Sequence, residues 1–162
     1  MDNPDDTVRP KASPPERSPH PSWELRPLLG LLMAADPVAP LVARHQARRW
    51  LAAPAWPADQ LTDIVLAPSE AISNAAEHAY RDRPPGMIEL QGGIELAPDG
   101  SRRVTLIVRD HGRWRPSPSD DKDRRRGIPL LRACMDTVSI TEPHDRTGTQ
   151  VILCSRTIPT PG

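Results

Sequence analysis

Phenylalanine is absent from the 162 residues, and aromatic residues make up only 3% of them. The core must therefore come from Leu, Ile, Val and Ala. The scarcity of rings also argues against a single-strand nucleic-acid binder, which works by stacking bases on exposed aromatics. Net charge is missing too. Lys and Arg total 21, Asp and Glu total 21, so no overall field draws the chain to nucleic acid or to a membrane. No apolar run is long enough to span a bilayer, and no charged-then-apolar leader opens the chain. Cysteine is limited to Cys134 and Cys154, with no CxxC pair. Two reduced, buried thiols are expected, as in a cytoplasmic protein, rather than a disulfide or metal framework.

The length suits one domain plus a tail. Residues 1–22 are rich in Pro, Asp and Ser and poor in apolar side chains. Such a segment buries too little surface to offset its ordering entropy, so a disordered tail is expected, followed by a domain over residues 23–158. The apolar run 28–34 is short enough for a buried strand, although periodicity alone does not separate that from a helix. Asp36-Pro37 starts a helix that reaches about residue 52. Val38, Leu41, Val42, His45, Arg49 and Trp50 lie toward one side of it, and Arg44, Arg48 and Arg49 read as a solvated face. A second helix is expected over residues 58–80, with Pro68 inside it and a kink before Glu70. Ile88 to Leu96 and Val104 to Val108 alternate as strands, joined by the Pro98-Asp99-Gly100 turn into an antiparallel hairpin. Residues 113–126 are nearly devoid of apolar side chains and read as a loop. A short helix follows at 128–135, then strands at 137–141 and 148–155. The order implies an α+β two-layer sandwich, helices on one face of a mostly antiparallel mixed sheet. The other face must be polar or covered by a partner.

Within the second helix, Glu70, Asn74 and His78 recur every fourth residue and so share one face. Ala71, Ile72, Ala75 and Ala79 form the adjoining apolar stripe. A carboxylate, a carboxamide and an imidazole in a row can activate a hydroxyl, ligate a hard cation and touch a phosphate. Further along, Asp110-His111-Gly112 ends a strand. Its carboxylate can accept a hydrogen bond from an exocyclic amine, and its glycine lets backbone approach a flat ligand. Arg126-Gly127 opens the next helix, where backbone N–H groups can meet phosphate. Gly148-Thr149 opens the closing strand. Each signal alone also fits a plain turn or a solvated face.

Taken in order, Glu70-x-x-x-Asn74-Ala-x-x-His78, Asp110-x-Gly112, Arg126-Gly127 and Gly148-Thr149 resemble the motifs of the GHKL ATPases. The stretch from Ser69 to Tyr80 is most similar to the helix of bacterial anti-sigma factor serine kinases of the RsbW and SpoIIAB type. The resemblance implies a Bergerat-type fold that binds ATP and Mg. It implies Asn74 as the Mg ligand and Glu70 as the residue that orients or deprotonates the attacking hydroxyl. Asp110 would hold the adenine amine, with Gly112 beside the base and Thr149 supporting Asp110. Arg126, Gly127 and Gly148 would lie on the nucleotide, and His78 near the phosphates. The implied function is a serine/threonine kinase that phosphorylates an antagonist protein and regulates a sigma factor. The alternative is a nucleotide-gated module that sequesters such a partner without catalysis. The implied partners are a sigma factor or an antagonist, with a homodimer as one assembly, and no membrane or direct nucleic-acid contact. Two departures stand out. Trp114 replaces the usual second glycine after Asp110, and Pro68 precedes Glu70 by two residues.

Overall fold

The computed structural model describes residues 24–52, 56–80, 84–112, 121–142 and 147–159, with side chains described from 28 in the first strand and from 127 in the last helix. The expected tail, residues 1–22, lies outside them. Element order is β1 (Glu24–Ala34), α1 (Ala39–Trp50), α2 (Ala58–His78), β2 (Met87–Leu96), β3 (Arg102–Asp110), α3 (Asp121–Cys134), β4 (Thr137–Thr141) and β5 (Gln150–Cys154). The strands form one five-stranded sheet in the order β1-β2-β3-β5-β4. Every neighbouring pair in it is antiparallel. This is the expected α+β sandwich, without a parallel pair among the described strands.

The β2–β3 hairpin closes as its sequence requires. Gly100 has φ +80°, its N–H donates to Ala97 O at 2.9 Å, and Asp99 Oδ1 accepts from the Ser101 amide at 2.8 Å. Alternation then sorts the two faces. Ile88, Leu90, Ile94, Val104, Leu106 and Val108 are buried beneath the helices. On the opposite face Arg103 pairs with Glu95 at 2.7 Å, and Arg109 bonds Gln150. At the β1 edge of that face, Leu28 and Leu32 are exposed, so it is polar in part only.

α2 is the central helix. It packs on β2, β3 and β5 and is flanked by α1 and α3. Ile64 and Ile72 are fully buried on it, each contributing about 1.5–3 kcal/mol of hydrophobic stabilisation. The expected stripe of Ala71, Ile72, Ala75 and Ala79 is buried throughout. Pro68 is buried inside α2, and the helix runs unbroken through it.

Three points go beyond or against the sequence pattern. The inward side of α1 is Ala39, Ala43 and Ala47, whereas Val38 and Leu41 are exposed. Small residues at four-residue spacing let α1 approach α2 closely. The N-cap is Val38 rather than Asp36; Asp36 sits in the turn that leads in, accepting from the Val38 and Ala39 amides at 2.9 and 3.0 Å. The second point is a correction to α3, which begins at Asp121 inside the stretch read as a loop. Arg and Lys are good helix formers without burial, and acidic residues in a first turn suit the helix dipole. Third, of the two free thiols only Cys134 is buried. No helix among the described residues is long and apolar enough to cross a membrane.

Candidate functional site

Glu70, Asn74 and His78 are all half-buried on α2. Gly127 of α3 lies over the first two. A Cβ there would fall 2.7 Å from Asn74 Nδ2 and 3.4 Å from Glu70 Oε1. α3 therefore rests on the polar row at the one position that has no side chain to obstruct it. Gly127 does not open the helix, as the sequence reading had it. It is six residues past the start at Asp121, and the unpaired N–H groups of a helix belong to its first turn. The Arg126 side chain and Trp114 lie outside the described residues. His78 joins the row with its Nε2 3.9 Å from Glu77 Oε2. Its Nδ1 is buried and has no hydrogen-bond partner among the described residues.

The second cluster forms where β3 ends. Asp110 is only 6% exposed. Its Oδ1 accepts from the Gly112 amide at 3.0 Å, and its own N–H donates to Thr149 O at 3.0 Å. Burial pushes the Asp110 carboxyl above its ordinary value. The Gly112 and Thr149 backbone bonds, the nearby His111 and the Thr149 side chain pull it back in part. Gly148 has φ +117°, and a Cβ on it would fall 2.0 Å from Asp110 O. Only glycine fits there, for both its conformation and its space.

Gly112 connects the two clusters. Its Cβ position would lie 2.1 Å from Ala79 O, at the C-terminal end of α2. Ala79 follows Glu70 by nine residues, about 13 Å along a helix axis. The structure thus brings Glu70, Asn74 and Gly127 together, and Asp110, Gly112, Gly148 and Thr149 together, at separate levels of α2.

Three contributors escaped the sequence reading. Arg44, read as part of a solvated face, donates from Nε to Ser69 Oγ at 2.7 Å. Ser69 is buried and immediately precedes Glu70. Tyr80 Oη donates to Met87 O at 2.7 Å and accepts from His111 N at 3.0 Å. The Arg44–Ser69 and Tyr80–His111 contacts join residues 25 and 31 positions apart, and no local pattern announces them.

Residues 33–155 match the histidine kinase-like ATPase domain, a stretch that contains both clusters. The chain belongs to that family. Among curated proteins it is similar to the anti-sigma F factor of Clostridium novyi (strain NT), 27% identical over 106 residues, covering 59% of this chain and 70% of that protein. It is also similar to the anti-sigma F factor of Anoxybacillus flavithermus, 38% identical over 55 residues, covering 34% of each chain. Among solved structures, the RsbU and RsbW domains of a Mycobacterium tuberculosis protein align with a TM-score of 0.58 and 29% identity, covering 83% of this chain. The chain spans only 34% of that protein's length. Family membership and this structural neighbour agree with the resemblance and the sandwich fold read from the sequence.

Proposed function

We propose that this ATPase-family domain binds ATP with magnesium and transfers phosphate to a serine or threonine of a protein antagonist, and so regulates a sigma factor. The observation that carries the reading is the division of labour along α2. A buried carboxylate stands at one level, and a carboxamide and a carboxylate under a glycine stand at the other. Relatives named anti-sigma F factor support the choice of partner.

The donor set fits this ligand. Asp110 is a buried acceptor backed by Thr149 and Gly112, suited to an exocyclic amine. Gly112 and Gly148 let backbone close in around that carboxylate, since a Cβ on either would meet Ala79 O or Asp110 O. No group of three or more His, Cys, Asp or Glu among the described residues could hold a metal. Asn74 would be the protein's ligand to a magnesium ion, in keeping with that ion's preference for few protein oxygens alongside phosphate and water. When bound, ATP with its magnesium supplies the phosphoryl group. The chain's own part is positioning and charge placement, which dominate this chemistry. Glu70 orients the incoming hydroxyl and accepts its proton. Asn74 fixes the metal side of the phosphates. Gly127 and the Arg126 beside it bring α3 to the phosphate end, and the buried Nδ1 of His78 lies one helical turn from Asn74. Ser69 and Arg44 steady the helix beside Glu70.

The test is transfer of labelled phosphate from ATP to a candidate antagonist with magnesium present. Absence of transfer under conditions where ATP binds would sink the kinase reading. A second reading, a nucleotide-gated module that sequesters its partner, is favoured by the close cover of Gly127 over Asn74 and Glu70. Under it, Glu70→Ala leaves regulation intact. Under the kinase reading the same variant abolishes transfer and keeps ATP binding.

A further inference from the structure

The β2–β3 ladder ends irregularly beside Asp110. Ile88 pairs with Asp110 and Glu89 with Arg109 in antiparallel register. The Asp110 N–H points away from β2, toward Thr149 O. In an antiparallel ladder the amides alternate, so the His111 N–H faces β2 and should bond Met87 O directly. It does not. The Tyr80 hydroxyl stands between them, accepting from His111 N at 3.0 Å and donating to Met87 O at 2.7 Å. The two strands are spread there by one oxygen atom.

Gly86 makes room for the intrusion. A Cβ at that position would fall 2.0 Å from Tyr80 Cε1. Burial raises the Tyr80 phenol above its ordinary value, so it stays a donor over the working pH range. The spread rung releases the chain from the sheet, and Gly112 drops against Ala79 O. From that position the Gly112 amide holds Asp110 Oδ1.

We propose that Tyr80 is a positioning residue for base selectivity: its hydroxyl replaces the last rung of the β2–β3 ladder and thereby sets where the Asp110 carboxylate points. The inference rests on the reading of Asp110 as the acceptor for the adenine amine.

The test compares ATP with inosine triphosphate, which carries a carbonyl in place of that amine, on the full chain. Wild type should prefer ATP. In Tyr80→Phe the His111 N–H and Met87 O close on each other and the Asp110 loop shifts. The ATP preference should then fall about two- to tenfold, the range one neutral hydrogen bond supplies, while inosine triphosphate affinity holds. Gly86→Ala, which keeps the hydroxyl but displaces the ring, should do the same. In an Asp110→Asn background, Tyr80→Phe should change nothing further. If wild type discriminates and Tyr80→Phe discriminates equally, or loses both nucleotides alike, the positioning role is overturned while the adenine reading stands. If wild type holds both nucleotides equally, the adenine reading of Asp110 fails and takes this inference with it.

Discussion

Gly127→Ala separates stability from function at the place where α3 meets α2. Two effects oppose each other in the folded protein. Alanine is favoured over glycine in a helix interior by about 0.8–1.0 kcal/mol, and Gly127 lies inside α3. Against that, the new Cβ would fall 2.7 Å from Asn74 Nδ2, closer than such contacts allow, and 3.4 Å from Glu70 Oε1, which is ordinary contact. The atom that must yield is the far end of a half-buried carboxamide, not backbone. Turning it off its rotamer costs about 0.5–1.5 kcal/mol. The terms nearly cancel, so the urea midpoint should move by less than the equivalent of about 1 kcal/mol. Function should not be spared. Asn74 has to leave the place from which it would hold magnesium, and a misplacement near 1 Å can cost on the order of a hundredfold in rate. The assay is urea unfolding beside magnesium-dependent ATP binding and phosphate transfer. Unchanged stability with unchanged magnesium dependence would refute the role given to Asn74. A loss above about 3 kcal/mol would refute the packing argument, since it would require a clash that the Asn74 side chain cannot relieve.

Three further outcomes follow from the same geometry. Gly148→Ala meets backbone rather than a side-chain tip, at a positive φ, and should destabilise by about 1–3 kcal/mol in urea unfolding; a change below about 0.5 kcal/mol would contradict the stated clash. Asp110→Asn should weaken ATP binding about ten- to a hundredfold, the loss of one charge-assisted hydrogen bond. It should also alter the pH profile of stability. Burial raises the Asp110 carboxyl in the folded state, so its contribution is fully present below the unfolded value near 3.8 and is lost as pH rises through the folded one. The variant should therefore gain on wild type in thermal melts as pH climbs from 4; a constant difference from pH 4 to 8 would refute the sign. Pro68→Ala restores a backbone donor in α2, worth about 3 kcal/mol in a helix interior, and gives up roughly two buried methylenes at about 0.8 kcal/mol each. A net gain of about 1–1.5 kcal/mol is expected from these two terms, with slower transfer if Pro68 helps to aim Glu70.

The hairpin and α2 were legible because they obey local rules. Alternation with period two, the Pro98-Asp99-Gly100 turn, and four-residue spacing of Glu70, Asn74 and His78 need no tertiary information. The candidate site residues were suggested by their order and types taken together, since a glycine or an aspartate at a strand or helix end also fits a plain turn. The inward face of α1 was not legible because Val38 and Leu41 outweigh alanine on any hydrophobic count. What decided the face was closeness of approach, which favours small residues. The start of α3 was misread because polarity was taken as loop character, although helix formation requires only propensity. The contacts of Arg44 with Ser69, Ala79 with Gly112, and Tyr80 with His111 depend on chain segments 25, 33 and 31 residues apart. Sequence order carries no signal for such pairs.

Those long-range contacts decide how the two halves of the site relate. Asp110 and Thr149 are held by the β3 and β5 ends of the sheet, while Glu70 and Asn74 belong to α2. A ligand that bridges them needs the sheet end and the helix fixed to each other, because preorganised elements hold a geometry better than loops do. Hydrophobic burial of Ile64 and Ile72 fixes α2 on the sheet as a body, but nondirectional packing tolerates small slides. The Tyr80 hydroxyl between Met87 and His111 is directional, the approach of Gly112 to Ala79 O is too close to admit a side chain, and both act within two residues of Asp110. They turn a helix packed on a sheet into a helix whose C-terminal end is registered against the strand that carries Asp110. Gly127 does the corresponding work at the other level, where the missing side chain lets α3 come down onto Asn74.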